Sequence, residues 1–446
     1  MRSFLGYPLT ERTPDHSSLS HVRQQLGEGC AIEEVLAATV AAGVQEGLVG
    51  GEEAAVDGSL LPANAALSSL RSIQTGKSVR EHLQEVRARN RERKEGEKRE
   101  PETLSNQEFR SETDAEAKIA RKPGVRRGLY YRVTHVTDRK DQIILAAEGG
   151  EAEVGEAEAA KAPLTEAKET LEENELSLGA VSGEAQYDDA DFHAHVESLG
   201  GKPVTHVQQE GTTKPKGFRK SDFTYLAQED CYRCPAGKRL LPCKHHRDRI
   251  EYRATAGVCE ACAHRQACVG ETKARSRSVW RKETEASRER NRAYAVTEEG
   301  KAILKRRGQI VEAPFGHLKT YGGISRVNCR GRPKVHVKVV LAAVAWNLIK
   351  AHEGALPGAA RARVPSAGGS RVRRASGRSA GRGRPRWARD GCGGGAARSS
   401  RPVRGLLVAA DPRPGQLLAV ATTEHVPDSL PSFAATFSID PVRLRL

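Results

Sequence analysis

Five cysteines constrain the fold most tightly. "CYRC" at 231–234 and "CEACAHRQAC" at 259–268 space them as C-x2-C-x24-C-x2-C-x5-C, and Cys243 lies between the two clusters. Two C-x2-C pairs at this separation bring four thiolates to one point only if the intervening chain folds back on itself. That is the geometry of a tetrahedral Zn²⁺ site. Cys231, Cys234, Cys259 and Cys262 are the expected ligands, with Cys268, Cys243, His245 and His246 as alternates. A set of thiolates implies a structural ion, not a catalytic one. Free buried thiols are the plainer alternative. Disulfides are disfavoured, because the opening "MRSFLGYPLTERTPD" has no secretory hydrophobic segment.

The chain has 446 residues, room for two or three domains, and 38% of them are apolar, enough for a sizeable core. No uninterrupted apolar run reaches bilayer length, so a soluble protein without a membrane partner is expected. The net charge of +15 points to an anionic partner, but it is unevenly placed. Residues 355–446 hold 16 Arg, no Lys and 5 acids, or +11; the first 354 residues hold 56 basic and 52 acidic side chains, or +4. Bulk charge therefore does not argue for nucleic-acid binding, and local clusters must.

Short helices are expected over 1–50, with a start signal at Asp15–Ser18 and an apolar helix over 31–49. "EEAAVDGSLLPANAAL" reads as a strand ending at Asp57 and a Gly-Ser turn. Residues 76–100 are charged and mixed in sign, the pattern of a solvated helix or a linker. From 128 the pattern turns α/β. Strands pair over 128–138 and 141–148, a helix spans 162–176, and strand, turn and helix occupy 178–200 with Asp188 or Asp189 as N-cap. A further strand spans 202–211, one helix runs from 285 to 307 into "GQIVEAPFGHLKTYGG", and a buried helix covers 335–353. Beyond 355 periodicity vanishes in an Arg/Gly/Ala-rich stretch that cannot bury a core. Disorder is expected there, as a nucleic-acid-binding arm or as translation of a shifted frame.

Read as a helix, 308–323 sets Glu312, Phe315 and Lys319 on one face, an acid and an amine two turns apart. A structural helix would turn Glu312 to water; a site for a metal or phosphate would turn it inward. Asp57 and Glu184 are two further acids at expected strand ends. Such a trio is what two-metal phosphoryl transfer requires, since hard carboxylate oxygens suit Mg²⁺.

Over roughly residues 3–353 the sequence resembles the DDE transposases of bacterial insertion sequences, in the subgroup with a cysteine-rich insertion. "VDGSLLPANAALSSL" is similar to the first motif, "RSETDAEAK" at 110–118 to a Ser-x-Thr-Asp-Pro-Glu-Ala segment, and "RRGQIVEAPFGHLK" to the last motif. The resemblance implies an α/β fold with a ribonuclease H-like core. It also implies a helical N-terminal DNA-binding domain (1–50) and a zinc-ribbon-like insertion (229–275). The core would be split between 51–228, with a charged linker at 76–110, and 276–354, ahead of the tail at 355–446. It implies Asp57, Glu184 and Glu312 as ligands of Mg²⁺ or Mn²⁺, and Arg307 and Lys319 as DNA-binding residues. Cleavage and strand transfer at element ends, a homodimer or larger multimer on DNA, and a cytoplasmic, nucleoid-associated location follow from it as well.

The departures are specific. The second motif, Asp-Ala-Gly-Tyr in the family, is here Glu184-Ala185-Gln186-Tyr187, so an Asp has become Glu and a turn glycine Gln. One methylene moves the carboxylate by roughly an ångström, and misplacement on that scale can cost about a hundredfold in rate. Leu304 stands where the signature has tyrosine, and Ala313-Pro314 replaces a Pro-x pair. Two alternatives therefore stand beside an active enzyme: a disabled remnant that only binds DNA, and a zinc-ribbon nucleic-acid-binding protein whose acids are structural.

Overall fold

The computed structural model describes residues 16–27, 31–93, 97–208, 217–270, 274–355, 407–410, 416–420 and 436–438. Helices α1 (His16–Leu26) and α2 (Ala31–Gln45) open it, followed by strand β1 (Glu53–Pro62). Strands β2 (Leu70–Ser72) and β3 (Phe109–Ser111) form a small ribbon around helix α3 (Val79–Glu92). Next come β4 (Lys118–Lys122), β5 (Val125–Asp138), β6 (Ile144–Glu151), the single turn α4 (Glu156–Ala159), α5 (Lys161–Glu173), β7 (Ala180–Gly183), α6 (Ala190–Ser198) and β8 (Lys202–Thr205).

The main sheet runs β4-β5-β1-β7-β8, with β6 also on the outer edge of β5. Its β5, β6 and β1 pair antiparallel, whereas β1, β7 and β8 pair parallel. Apolar side chains line both faces, as a sheet covered by helices demands. On one side Val56 and Val136 pack with Leu164 of α5 and Phe192 of α6. On the other lie α10 (Glu298–Thr320) and α11 (Arg332–Ala355). This mixed α/β architecture is compatible with a ribonuclease H-like domain.

Helix α11 is long and apolar enough to cross a membrane by composition, yet half of its apolar window is buried in the protein. Val335, Val339, Val340 and Val344 pack into the larger core beside Ile32 and Leu36 of α2. Asn347 fixes its depth: its side chain accepts from the Ile144 backbone N–H (2.8 Å) and donates to the Ile144 carbonyl (2.9 Å) and to Thr39 Oγ1 (3.0 Å). A buried amide satisfied on both ends costs little and specifies one register.

Residues 224–282, where the insertion is expected, form a separate five-stranded sheet. It contains β9 (Thr224–Leu226), β10 (Cys231–Arg233), β11 (Arg239–His246), β12 (Arg249–Arg253) and β13 (Ser278–Lys282), with short helices α7 (Ala256–Glu260) and α8 (Arg265–Cys268). Its core centres on Tyr232, Tyr252 and Val279. Helix α9 (Glu285–Ala295) returns the chain to the main sheet.

Several expectations are corrected. The strand does not end at Asp57: Gly58 and Ser59 pair with Thr134 and Val133, so β1 runs on to Pro62 and Asp57 is mid-strand. The charged 76–100 segment, by contrast, takes the helical of its two expected forms, started by a capping box between Ser78 and Glu81. The single helix expected over 285–307 is two, because Thr297 caps a new start by accepting from the Gly300 N–H. The earliest residues, 209–211 and most of the tail lie outside the described residues. Within the tail, β14 (Leu407–Ala410), β15 (Gln416–Val420) and β16 (Thr436–Ser438) pair antiparallel, which a wholly disordered tail does not anticipate.

Candidate functional site

The register of β1 places the first acid. Asp57 stands opposite His135 of β5, and Ala55 opposite Ser182 of β7. Side chains alternate between faces, so Ala55, Asp57, Ser59, His135 and Ser182 share the face covered by α10. Glu184, two residues beyond Ser182, leaves β7 on that same face. Helix α10 seats Ile310 and Val311 on Ala55, and stacks Phe315 on the His135 ring at 4.5 Å and 19°.

Asp57 lies in this seam, and burial pushes its carboxyl up to about 6. Arg307 opposes that shift, while the charges of Glu184 and Glu156 reinforce it. Arg307, itself 7% exposed, donates from Nη2 to Glu184 Oε1 at 2.5 Å. Its Nη1 has no hydrogen-bond partner among the described residues. A buried guanidinium with one arm on Glu184 and a field on Asp57 ties the two acids together. Glu184 remains 44% exposed in its side chain, open to a ligand.

Lys319 closes the far end. Its Nζ donates to Ser59 Oγ at 2.8 Å and sits 5.5 Å from the Phe315 centroid. Burial of its stem lowers its pKa, opposed by the Asp57 charge. His135 is 1% exposed; burial, helped by Lys319, drives it down to about 3, so it stays neutral.

Glu312 is not turned inward; it is exposed. Val311 and Phe315 take the sheet-facing positions, which leaves Glu312 at the rim of the helix. Its carboxylate folds back along the axis, such that a Cβ on Gly308 would stand 3.2 Å from Oε1. The structure thus brings together Asp57, Glu184, Arg307 and Lys319, and leaves Glu312 exposed on the helix that carries the last two. Among the described residues no three His, Cys, Asp or Glu side chains are gathered closely enough to share an ion.

The reverse face holds residues that sequence reasoning missed. Glu156, 8% exposed, pairs with Arg132 (3.1 Å) and Lys122 (3.0 Å). Tyr187 is fully buried with its hydroxyl unpartnered among the described residues, and burial, then the charges of Asp57 and Glu156, raise its pKa. Its hydroxyl approaches Gly58, where a Cβ would meet it at 3.3 Å. The glycine after Asp57 therefore makes room for the tyrosine three residues after Glu184. The Asp-Gly pair and the tyrosine of the second motif are two sides of one contact. The alternation of β5, which turns Arg132 away from His135, was the available signal for this face.

The 110–118 segment has a structural part. Asp114, 3% exposed, accepts from the Tyr131 hydroxyl (2.5 Å) and from the Gly331 N–H (3.2 Å), which anchors the approach to α11.

In the insertion, Cys234, Cys259, Cys262 and Cys268 line one small cavity. Burial pushes the Cys268 thiol up; Arg277 opposes this, and Cys259, Cys234 and Cys262 add to it. Cys231, buried, is not among the lining residues, and its Sγ faces Glu229 Oε2 at 3.9 Å.

Residues 212–352 match a family model described as a transposase DDE domain, consistent with a DDE transposase. That stretch includes Arg307, Glu312, Lys319 and the cysteine insertion, and stops short of Asp57 and Glu184. No curated protein and no solved structure matches the chain.

Proposed function

We propose that the chain is a transposase that cuts DNA at the ends of an insertion sequence and joins the freed ends to target DNA. The observation that carries this is the seam between β1 and α10. A half-buried Asp57, with no direct ion pair among the described residues, faces Arg307, Glu184 and Lys319. A carboxylate left short of positive charge is fit to take a cation.

Asp57, Glu184 and Glu312 would hold Mg²⁺ or Mn²⁺, which when bound activates the attacking oxygen and neutralises the leaving one. The chain's own residues supply the rest. Asp57 is ionised above about pH 6 and so ready to bind a cation at neutral pH. Arg307 orients Glu184 and carries positive charge into the seam. Lys319, steadied by Ser59, offers an ammonium to a DNA phosphate. The outer face of the β11–β13 sheet presents Lys244, Arg249, Arg253 and a 40% exposed Trp280, suited to backbone contact beside a stacking surface. Paired element ends require at least a dimer on DNA.

One observation favours a second reading, a disabled copy that binds DNA without cutting it. Glu184 reaches Arg307 directly, so its carboxylate is already engaged. A strand-cleavage assay separates the two, with DNA carrying the sequences that flank this gene and Mg²⁺ or Mn²⁺. Cutting by the natural chain but not by Asp57→Ala supports a working enzyme. Cutting by Glu184→Asp alone supports the disabled copy. Equal activity in Asp57→Ala would overturn both.

A further inference from the structure

Strand β5 outruns the sheet it belongs to. It pairs with β1 only from Tyr130 onward and with β6 only from Tyr131, whereas β4 pairs with it back to Val125. Ahead of Leu129, whose carbonyl accepts from the Ala63 N–H (2.9 Å), β4 and β5 leave the main sheet as a two-stranded ribbon. Pro123 and Gly124 turn its tip, with Gly124 at φ +77°, the pattern of a type II turn.

The base of the ribbon is fixed and its tip is bare. Asn106 bonds both backbone groups of Ile119, accepting from the N–H (2.7 Å) and donating to the carbonyl (3.1 Å). The Tyr130 hydroxyl donates to the Arg126 carbonyl (2.6 Å), and its ring lies over Gly128, where a Cβ would stand 2.9 Å from it. Arg121, Arg126 and Arg127 are exposed. Residues 117–132 contain Lys and Arg side chains but no acid. Lys118, Lys122 and Arg132 pair with glutamates of the main domain, yet Arg121, Arg126 and Arg127 have no ion pair among the described residues. Alternation along β5 puts Arg126 on the face of Tyr130 and Arg127 on the face of Leu129, so positive charge flanks the ribbon on both sides.

The ribbon points away from the seam along the same strand. Val125 lies ten positions before His135, which stands opposite Asp57. That is at most about 34 Å of strand, close to one turn of B-DNA. Lys319, bonded to Ser59, lies in the same direction from Asp57. Burial lowers the Lys319 pKa against the pull of Asp57, and the Lys122 charge adds to the lowering, so the ribbon lies within electrostatic reach of the seam.

We infer that the β4–β5 ribbon is a separate DNA contact, which enters a groove of the duplex about one turn from the strand held at Asp57 and sets Arg121, Arg126 and Arg127 on its phosphates. The major groove admits a two-stranded β-ribbon, and cations on both faces meet the phosphates of both walls. Contacts of this kind position the duplex without reading its sequence. The inference rests on the reading of the seam as a DNA-cutting site and adds the duplex beyond the cut.

The test is anisotropy of a labelled duplex titrated with the full-length chain in EDTA over a range of salt, so binding is read without cleavage. Replacing Arg121, Arg126 and Arg127 together by Ala should reduce the slope of log affinity against log salt by about 2 to 3, and replacing them together by Lys should keep it. A control that removes equal charge elsewhere, Lys77→Ala with Arg87→Ala and Lys168→Ala, should leave the slope as in the natural chain. An unchanged slope in the alanine variant, an equal loss in the control, a loss seen on single strands but not on duplex, or no duplex binding by the natural chain overturns the assignment. A reduced slope in a chain that never cuts DNA would sink the cleavage reading and keep the ribbon; an unchanged slope in a chain that cuts would sink the ribbon alone.

Discussion

The seam between β1 and α10 and the cysteine insertion are built on opposite plans. The insertion's cavity is lined from within residues 218–277, and its groups meet because turns bring near neighbours together. The seam joins residues up to 260 positions apart, as in the bond from Lys319 to Ser59. It exists only because β1 runs through the middle of the main sheet and α10 lies over it. The insertion gathers groups of one kind, thiols in an apolar pocket. The seam opposes groups of different kinds, acids against Arg307 and Lys319, and stores the conflict as a raised Asp57. A local, uniform site is suited to holding structure; a non-local, frustrated one is suited to chemistry.

The largest test of that contrast is Asp57→Ala. It should lower strand cleavage by about a thousandfold or more, because it removes a carboxylate from the reacting centre. Cleavage rates of the natural chain and the variant, measured side by side, check it. Next is Glu184→Asp. The shorter side chain withdraws from Arg307 and should raise cleavage by up to about a hundredfold under the same assay.

The third test uses pH. The folded Asp57 titrates at about 6, above its unfolded value of 3.8, so the folded state binds the proton more tightly. The penalty is absent below about pH 4, grows through the window from 3.8 to 6, and is complete above it. Without divalent metal, Asp57→Asn should be more stable than the natural chain at pH 7.5 by on the order of 2 kcal/mol, and no more stable at pH 4. Denaturant midpoints at the two pH values check the sign. The smallest effect is at the back of the sheet. Gly58→Ala should cost about 1 kcal/mol through the clash with the Tyr187 hydroxyl, and Tyr187→Phe should recover it, read as melting temperatures of the double-mutant cycle.

What the sequence made legible follows the same division. Cysteine spacing pointed to the segment that holds the cavity, but spacing does not say which way a strand turns its side chains, and Cys231 is not among the lining residues. The last motif placed Glu312, Phe315 and Lys319 at i, i+3 and i+7 of one helix, and that helix is present as α10. The outward placement of Glu312 was not legible, for it depends on how α10 rolls against β1, which Val311 and Phe315 decide. Asp57 was placed at a strand end because Asp-Gly-Ser reads as a turn. The glycine is instead required by Tyr187, a contact across 129 positions that no local pattern reveals.

The most direct measurement of the central claim is Mn²⁺ binding to the full-length protein, followed by the paramagnetic signal of free Mn²⁺ at pH 7.5 and pH 5. Binding at pH 7.5 that weakens at pH 5 and is lost in Asp57→Asn is the predicted result, since only an ionised Asp57 can complete the site. Equal Mn²⁺ binding by Asp57→Asn, or none by the natural chain at either pH, would contradict the assignment of this seam as the metal-dependent cutting site.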